Sequence, residues 1–422
     1  MINLFHSTNL KYRLLQQSSK LLNQQIQYSL FNFIKQEGLE NKLSSLSKKV
    51  QQEKKGQKLS KVEQMIQQQQ SQKKQNSSLD EEAIQHNDDI LFDTATNKVH
   101  YPVLIDKITQ VLQEEFYPHS SSHSEKCLVD CTLGSAGHAK HFLQKFPYLY
   151  ILGLDLDPRM LQYINDNVKS QLSHSDQNRF KTRNENFTNI DKINLYKIFE
   201  EEFPSYKNFH AIFADLGYNT LHLENSEWGF SYLRNGKLDM RYNQSSQTNS
   251  AADILNKASY LELFEIIRQY GEDPNADVIS QMIIKQRQIK PFETTKDVVD
   301  LILEDQSGYS FKGGQYKAIT KLFQALRIAT NQELTNLQVF MDKIYDKLLK
   351  DGLGIIITFH SLEENIVEQK LRDLVINRQI EVRKRQKNIE ILQMGEKPDI
   401  NELQKNSKSR SAKLYTFKKL KK

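Results

Sequence analysis

A chain of 422 residues, 38% hydrophobic and 26% charged, is long enough to bury one large core or two ordinary ones. No apolar run approaches the length of a membrane-crossing helix, so no membrane role is expected. Its formal charge of +6 admits a polyanionic partner without requiring one, and its two cysteines, Cys127 and Cys131, are too few to ligate an iron–sulfur cluster and read as small buried side chains.

In chain order, residues 1–36 carry Lys11, Arg13, Lys20 and Lys35 but no Asp or Glu, with leucines and phenylalanines at roughly helical intervals. A basic, amphipathic, acid-free stretch of this kind is expected of an organelle transit peptide. Residues 1–50 are therefore read as a leader, with a mitochondrial destination, or as an N-terminal extension. Residues 51–95 are rich in Gln and Lys and too poor in apolar side chains to build a core, which predicts a disordered linker. From about residue 96 the text alternates strand and helix. Apolar, β-branched or aromatic runs at 127–131 (CLVDC), 149–154 (LYILGL), 209–214 (FHAIFA) and 353–359 (LGIIITF) predict strands. Continuous runs of that length suit strands covered on both faces, so the expected fold class is α/β with a parallel, doubly wound sheet. The last segment, 383–422, is dense in Lys and Arg and predicts a solvated tail, or a phosphate-contacting one if the partner is RNA. No internal repeat stands out.

In a doubly wound sheet the ligand lies beyond the carboxyl ends of the strands. The first strand runs into Gly134-Ser135-Ala136-Gly137-His138. This is not a Walker loop, because Lys140 is wrongly spaced and no Ser or Thr follows it, nor is it a G-x-G-x-x-G turn. A tight turn without phosphate devices suits a nucleoside ligand. Asp155, ending the second strand about twenty residues later, is placed to accept hydrogen bonds from ribose hydroxyls. S-adenosylmethionine leads as the ligand, ahead of a dinucleotide. The strand at 209–214 ends in Asp215-Leu216-Gly217-Tyr218. A carboxylate there can hold an exocyclic amine beside a sulfonium methyl, raise electron density on its nitrogen during attack and accept the proton afterwards. Binding the cofactor or capping the next turn are the alternatives for Asp215.

Nine segments, HYPVLIDKI (100–108), TLGSAGH (132–138), LDLDP (154–158), ADLG (214–217), WGFSYLRNGKLDMRYN (228–243), YGE (270–272), FQALRIATNQEL (323–334), TFHSLEE (358–364) and SRSAKL (409–414), resemble in order and spacing the MraW/RsmH family. Those enzymes use S-adenosylmethionine to methylate N4 of a cytidine in small-subunit ribosomal RNA. The similarity covers roughly residues 98–417. It implies a class I methyltransferase Rossmann-like sheet, here 96–221 and 326–422, interrupted by a mostly helical substrate domain over 222–325. Helical apolar spacing in AADILNKASYLELFEIIRQYG and NADVISQMIIKQRQI agrees with that insertion. Small-subunit rRNA, or the assembling subunit, is the implied partner, and a homodimer is compatible with it.

Carried over residue by residue, the resemblance implies cofactor contacts at Ala136, Gly137 and His138, at Asp155 on the ribose, at Phe187 beside the adenine, and at Asp215 near the methionine end. His360 and Ser361 should line the same cleft, His360 to position or relay a proton unless it is structural. Asp239, Arg241 and Arg327 fall on the substrate side, the arginines for phosphate or base contacts, against the alternative that buried carboxylates hold them. Arg410 and Lys413 would fold the tail onto that surface. No metal is implied. Three departures from the family pattern stand out: His222 replaces a glutamine that reaches the cofactor, Ala136 replaces a glycine of the turn, and Trp228 replaces an arginine, exchanging a phosphate contact for a stacking face. An active N4-cytosine methyltransferase is the expected function. An RNA-binding assembly factor of the same fold, weakened by Ala136 and His222, is the alternative.

Overall fold

The computed structural model describes residues 101–117, 124–199, 202–203, 207–376 and 389–420, all within one compact unit, Lys98–Lys422. The leader and linker expected over residues 1–95 lie outside the described residues. Seven strands form one sheet: β1 Lys126–Asp130, β2 Leu149–Asp155, β3 Phe180–Asn184, β4 Phe209–Asp215, β5 Leu348–Thr358, β6 Ile389–Glu396 and β7 Lys413–Lys419. Their order is β3-β2-β1-β4-β5-β7-β6. The first five pair in parallel, as their apolar text predicts. β7, however, pairs antiparallel with both β5 and β6, so the sheet is mixed and not wholly parallel.

Alternation along the strands explains the two cores. Leu128, Ile151, Ala211, Phe213 and Ile355 point to one face and pack with helices α1 (Ile105–Phe116) and α2 (Gly137–Lys145). Their neighbours Val129, Leu152, Leu154, Ile212 and Ile356 point to the other, against α11 (Glu333–Lys347) and α12 (Ser361–Ile376). Each fully buried side chain of this size contributes ~1.5–3 kcal/mol. Cys127 and Cys131 are buried in the second core, as expected.

Strand order reverses between β1 and β4, so the crevice at their carboxyl ends is the ligand position of the fold. The turn after β1 opens α2. The β2 exit opens α3 (Pro158–Tyr163), and α4 (His174–Asn178) leads into β3. Between β4 and β5 the chain forms α5 (Thr220–Glu224), α6 (Ala251–Lys257), α7 (Tyr260–Gln269), α8 (Ala276–Ile289), α9 (Thr295–Leu303), α10 (Gln315–Asn331) and α11. Ser250, Ser259 and Thr294 start α6, α7 and α9 through capping boxes with Asp253, Glu262 and Asp297. Apolar faces of α6 to α10 gather a third cluster that includes no residue of the sheet. The expected boundaries differ from the elements at both ends: 221/222 falls inside α5, and 325/326 falls inside α10, which runs unbroken to Asn331.

Over its described residues, 389–420, the basic C-terminal segment is not a solvated tail; 383–388, 421 and 422 lie outside the described residues. Leu414, Tyr415, Thr416 and Phe417 are buried, and β7 sits in the sheet between β5 and β6. Its lysines are paired within the fold: Lys413 with Glu364, Lys418 with Glu115 at 2.7 Å, and Lys419 with the carbonyls of Tyr345 and Leu348 at 2.9 and 2.7 Å. α13 (Ile400–Lys405) returns to the N-terminal segment, where the buried Glu402 carboxylate accepts the Leu104 N–H at 2.8 Å.

Candidate active site

Three carboxylates end three neighbouring strands, β2, β1 and β4. Asp155 accepts the Gly134 N–H at 2.7 Å on one oxygen and the Asp157 N–H at 2.8 Å on the other. It thereby buckles the glycine turn onto the end of β2, and the remaining lone pairs of each oxygen stay available to hydroxyl donors. Burial pushes its pKa up to about 7 against the pull of those N–H donors, with Asp157 adding to the rise. Asp130, at the end of β1, is 2% exposed and is also pushed up to about 7 by burial, with Asp155 contributing. The sequence reading missed Asp130, although a carboxylate ending an apolar strand is the same signal that singled out the other two.

Asp215 ends β4, its N–H donating to the Thr132 hydroxyl at 2.7 Å. Its pKa is raised well above the ordinary carboxylate range by burial, then by Asp130 and Glu363. Its Oδ1 is buried and has no hydrogen-bond partner among the described residues, while Oδ2 lies 3.8 Å from Nδ1 of His138. The buried His138 ring holds its Nε2 2.9 Å from the Val103 carbonyl. A carbonyl only accepts, so that nitrogen carries the hydrogen and Nδ1 turns a lone pair, or a second proton, toward Asp215. The His138 side chain thus lies between Asp215 and the Val103 carbonyl.

Ala136 takes a left-handed φ of 61° where glycine is the usual residue. Its methyl is buried in the first core cluster, not turned toward the crevice as its sequence position suggested. Phe187 begins a short turn just past β3, partly buried, with its ring 5.1 Å from that of Phe340. Beside it the Glu185 N–H bonds the Asp155 carbonyl at 3.0 Å, so Phe187 follows directly from the β2–β3 end of the crevice.

His222 does not reach for a cofactor. It is 4% exposed, accepts the Asn219 N–H on Nδ1 at 3.0 Å and donates from Nε2 to Asp157 at 2.9 Å. Both ring nitrogens are used inside the fold, and burial lowers its pKa, so the ring is neutral near pH 7. It braces the N-cap of α5, whose Asn219 amide lies against the Gly134 turn. Trp228 is likewise engaged, with the Arg159 guanidinium 4.0 Å from its ring.

The predicted substrate-side arginines are held by carboxylates. Arg241 grips the buried Asp239 through two bonds of 2.8 Å, and Asn331 ties the same loop to α10 through the Met240 carbonyl at 2.8 Å. Arg327 is buried and doubly bonded to Glu333 at 2.9 Å. Lys413 is committed to Glu364, whereas Arg410 is exposed in the turn Ser407–Ser411. His360 stands at the end of β5 with Nε2 3.3 Å from Glu363, and Ser361 donates to Glu272 of the insertion. Glu333, His360 and Glu363 converge within 4.8 Å of one another, but Arg327 already balances Glu333 and the Phe359 N–H bonds Glu363 at 2.8 Å.

The MraW methylase family matches residues 97–420. The chain belongs to that family. Among its relatives, the ribosomal RNA small subunit methyltransferase H of Borrelia garinii subsp. bavariensis is 33% identical over 324 residues, covering 77% of this chain and 99% of the relative. Its namesake from Coprothermobacter proteolyticus is 30% identical over 326 residues, 76% of this chain and 96% of its own. Among solved structures, an rRNA methylase from Streptococcus thermophilus aligns with 76% of this chain and all of its own at 9% identity, with a TM-score of 0.33, a likeness too slight to add to the family match. This MraW-family methylase carries its strand-end carboxylates on a mixed seven-stranded α/β sheet.

Proposed function

We propose that this chain transfers a methyl group from S-adenosylmethionine to N4 of a cytidine in small-subunit ribosomal RNA. The observation that carries the reading is the convergence of Asp130, Asp155 and Asp215 at one mouth, each pushed above the ordinary carboxylate range. Burial raises all three, with Asp155 adding to the rise of Asp130 and Asp130 to that of Asp215, and such carboxylates suit a cationic ligand, which lowers the cost of ionising them. S-adenosylmethionine supplies a methyl group on a positively charged sulfur and brings a second cation at its ammonium group. In this reading Asp155 accepts from the ribose hydroxyls and the backbone of Ala136 and Gly137 holds the methionine portion.

Asp215 orients the amine. Its Oδ1, without a hydrogen-bond partner among the described residues, accepts a hydrogen from N4, aligns the nitrogen lone pair and receives the proton as the N–C bond forms and the methyl–sulfur bond breaks, the electron pair leaving on sulfur as a neutral thioether. A paired or stacked cytosine cannot present N4 in this way, so the base must be turned out of its stack. The assembly-factor alternative rested on Ala136 and His222. With the Ala136 methyl in the core and His222 bracing α5, neither residue speaks against turnover.

The test is calorimetric titration with S-adenosylmethionine, followed by incubation with small-subunit rRNA and nucleoside mass spectrometry. N4-methylcytidine is expected. A folded protein that binds the donor and yields methylation only at another atom, or none, refutes the proposal.

A further inference from the structure

We infer that Tyr218 is the platform on which the extruded target base stacks. The inference rests on the proposed function and names a residue that the chemistry there does not use. Tyr218 follows Asp215 by three positions, beyond the turn that Gly217 makes at a φ of 97°, and it is 45% exposed. Beneath its ring lies the Arg327 guanidinium, 4.8 Å from the centroid. That cation is itself fixed by Glu333, which also accepts the Tyr242 hydroxyl at 3.2 Å, and the same hydroxyl lies 3.4 Å from the Gly217 carbonyl. The ring is therefore held against a rigid, buried, charge-balanced support and keeps open surface at the carboxyl ends of the strands.

An exposed aromatic ring ordinarily costs hydrophobic free energy and means little alone. Here its position distinguishes it. Of the other exposed tyrosines among the described residues, Tyr148 and Tyr196 precede β2 and β4 at the opposite end of the sheet, and Tyr316 lies in the first turn of α10. Tyr218 alone adjoins the carboxylate that would hold the amine. A pyrimidine lying on this ring presents its edge, with the exocyclic amine, to the strand end that carries Asp215. Stacking offers each base a π-face and needs no hydrogen-bond partner, so it replaces the neighbours the base leaves behind. Arg327, expected from the sequence to contact RNA directly, acts one layer below, by cation–π attraction that fixes the ring.

The experiment uses the full chain and compares Tyr218→Phe, Tyr218→Leu and Tyr218→Ala. S-adenosylmethionine affinity and melting temperature should match wild type in all three. Phe should keep kcat/KM for RNA within about threefold, whereas Leu and Ala should lose about 5- to 150-fold, the span that ~1–3 kcal/mol of base–aromatic stacking represents. An RNA with a fluorescent cytosine analogue at the position that wild type methylates should be quenched on binding by wild type and Phe and stay bright with Leu and Ala. Undiminished kcat/KM in Tyr218→Ala, or a Phe variant as impaired as Ala, overturns the inference, as does a loss that follows donor affinity. Absence of RNA methylation by the wild type would instead fail the proposed function.

Discussion

Asp130→Asn isolates the electrostatic cost of the site. An unfolded aspartate ionises near 3.8, and Asp130 in the fold at about 7. Between those values the folded protein holds a proton that the unfolded chain has released, so stability falls as pH rises through the window. Asp130 is 2% exposed, which leaves little solvent to screen the effect. At ~1.4 kcal/mol per pH unit over about three units, the ceiling is ~4 kcal/mol. Asparagine keeps an oxygen for the Thr132 N–H, which Asp130 accepts at 3.2 Å, and carries no charge. In urea titrations the variant should therefore be more stable than wild type by ~2–4 kcal/mol at pH 8 and within ~1 kcal/mol of it at pH 4. It should also bind S-adenosylmethionine more weakly, because the ionised carboxylate that destabilises the free protein is what a cation rewards. A stability difference that does not change between pH 4 and pH 8, or a variant less stable at pH 8, would refute the reasoning.

Asp215→Asn should abolish methyl transfer even at saturating S-adenosylmethionine, since its Oδ1 has no hydrogen-bond partner among the described residues and stands free for the amine; single-turnover kinetics checks this, and residual turnover near wild type removes Asp215 from the chemistry. Gly153→Ala would set a methyl 2.4 Å from Cδ2 of Leu133, whose N–H anchors the glycine turn to Leu154 at 2.9 Å. A loss of ~1–3 kcal/mol in thermal unfolding, with weakened donor binding, is the expected result, and unchanged values for both would show that Leu133 moves freely. Arg241→Gln should cost ~2–4 kcal/mol by stranding the buried Asp239. The slope of log affinity for RNA against log salt should not change, whereas a phosphate-contacting arginine would reduce it by about 0.7.

How legible each part was depended on which forces shaped its text. β1, β2, β4 and β5 are covered on both faces, so their apolar runs stand out. β3, FKTRN, is an edge strand with Phe180 as its one buried residue, and β6 at the other edge is only partly covered; neither needs a continuous apolar run. β7 was hidden differently. Its buried LYTF core is flanked by lysines whose partners, Glu364 and Glu115, come from distant elements. Local sequence shows the charge and not its neutralisation, so a central strand read as a basic tail. Asp155 and Asp215 were legible because a carboxylate closing an apolar strand is uncommon, and Asp130 should have been read by the same rule.

The arginines show where reading by charge gives way to geometry. Arg241 lies two residues from Asp239, and Arg327 six from Glu333 across the left-handed turn at Gln332. In both cases the sequence contains the partner, but only the fold brings the two groups to 2.8–2.9 Å, with Arg327 buried and Arg241 partly so. Once paired and buried, an arginine no longer competes for phosphate and becomes a strut. Arg241 stiffens the loop that Asn331 joins to α10, and Arg327 braces the segment after Asp215. Under the proposed function, recognition in the crevice would then depend less on the basic residues in its motifs than on the shape, stacking surface and carboxylates those residues hold in place. That arrangement fits a target identified by the chemistry of one exposed amine, because a field of free cations would attract every phosphate of the RNA alike.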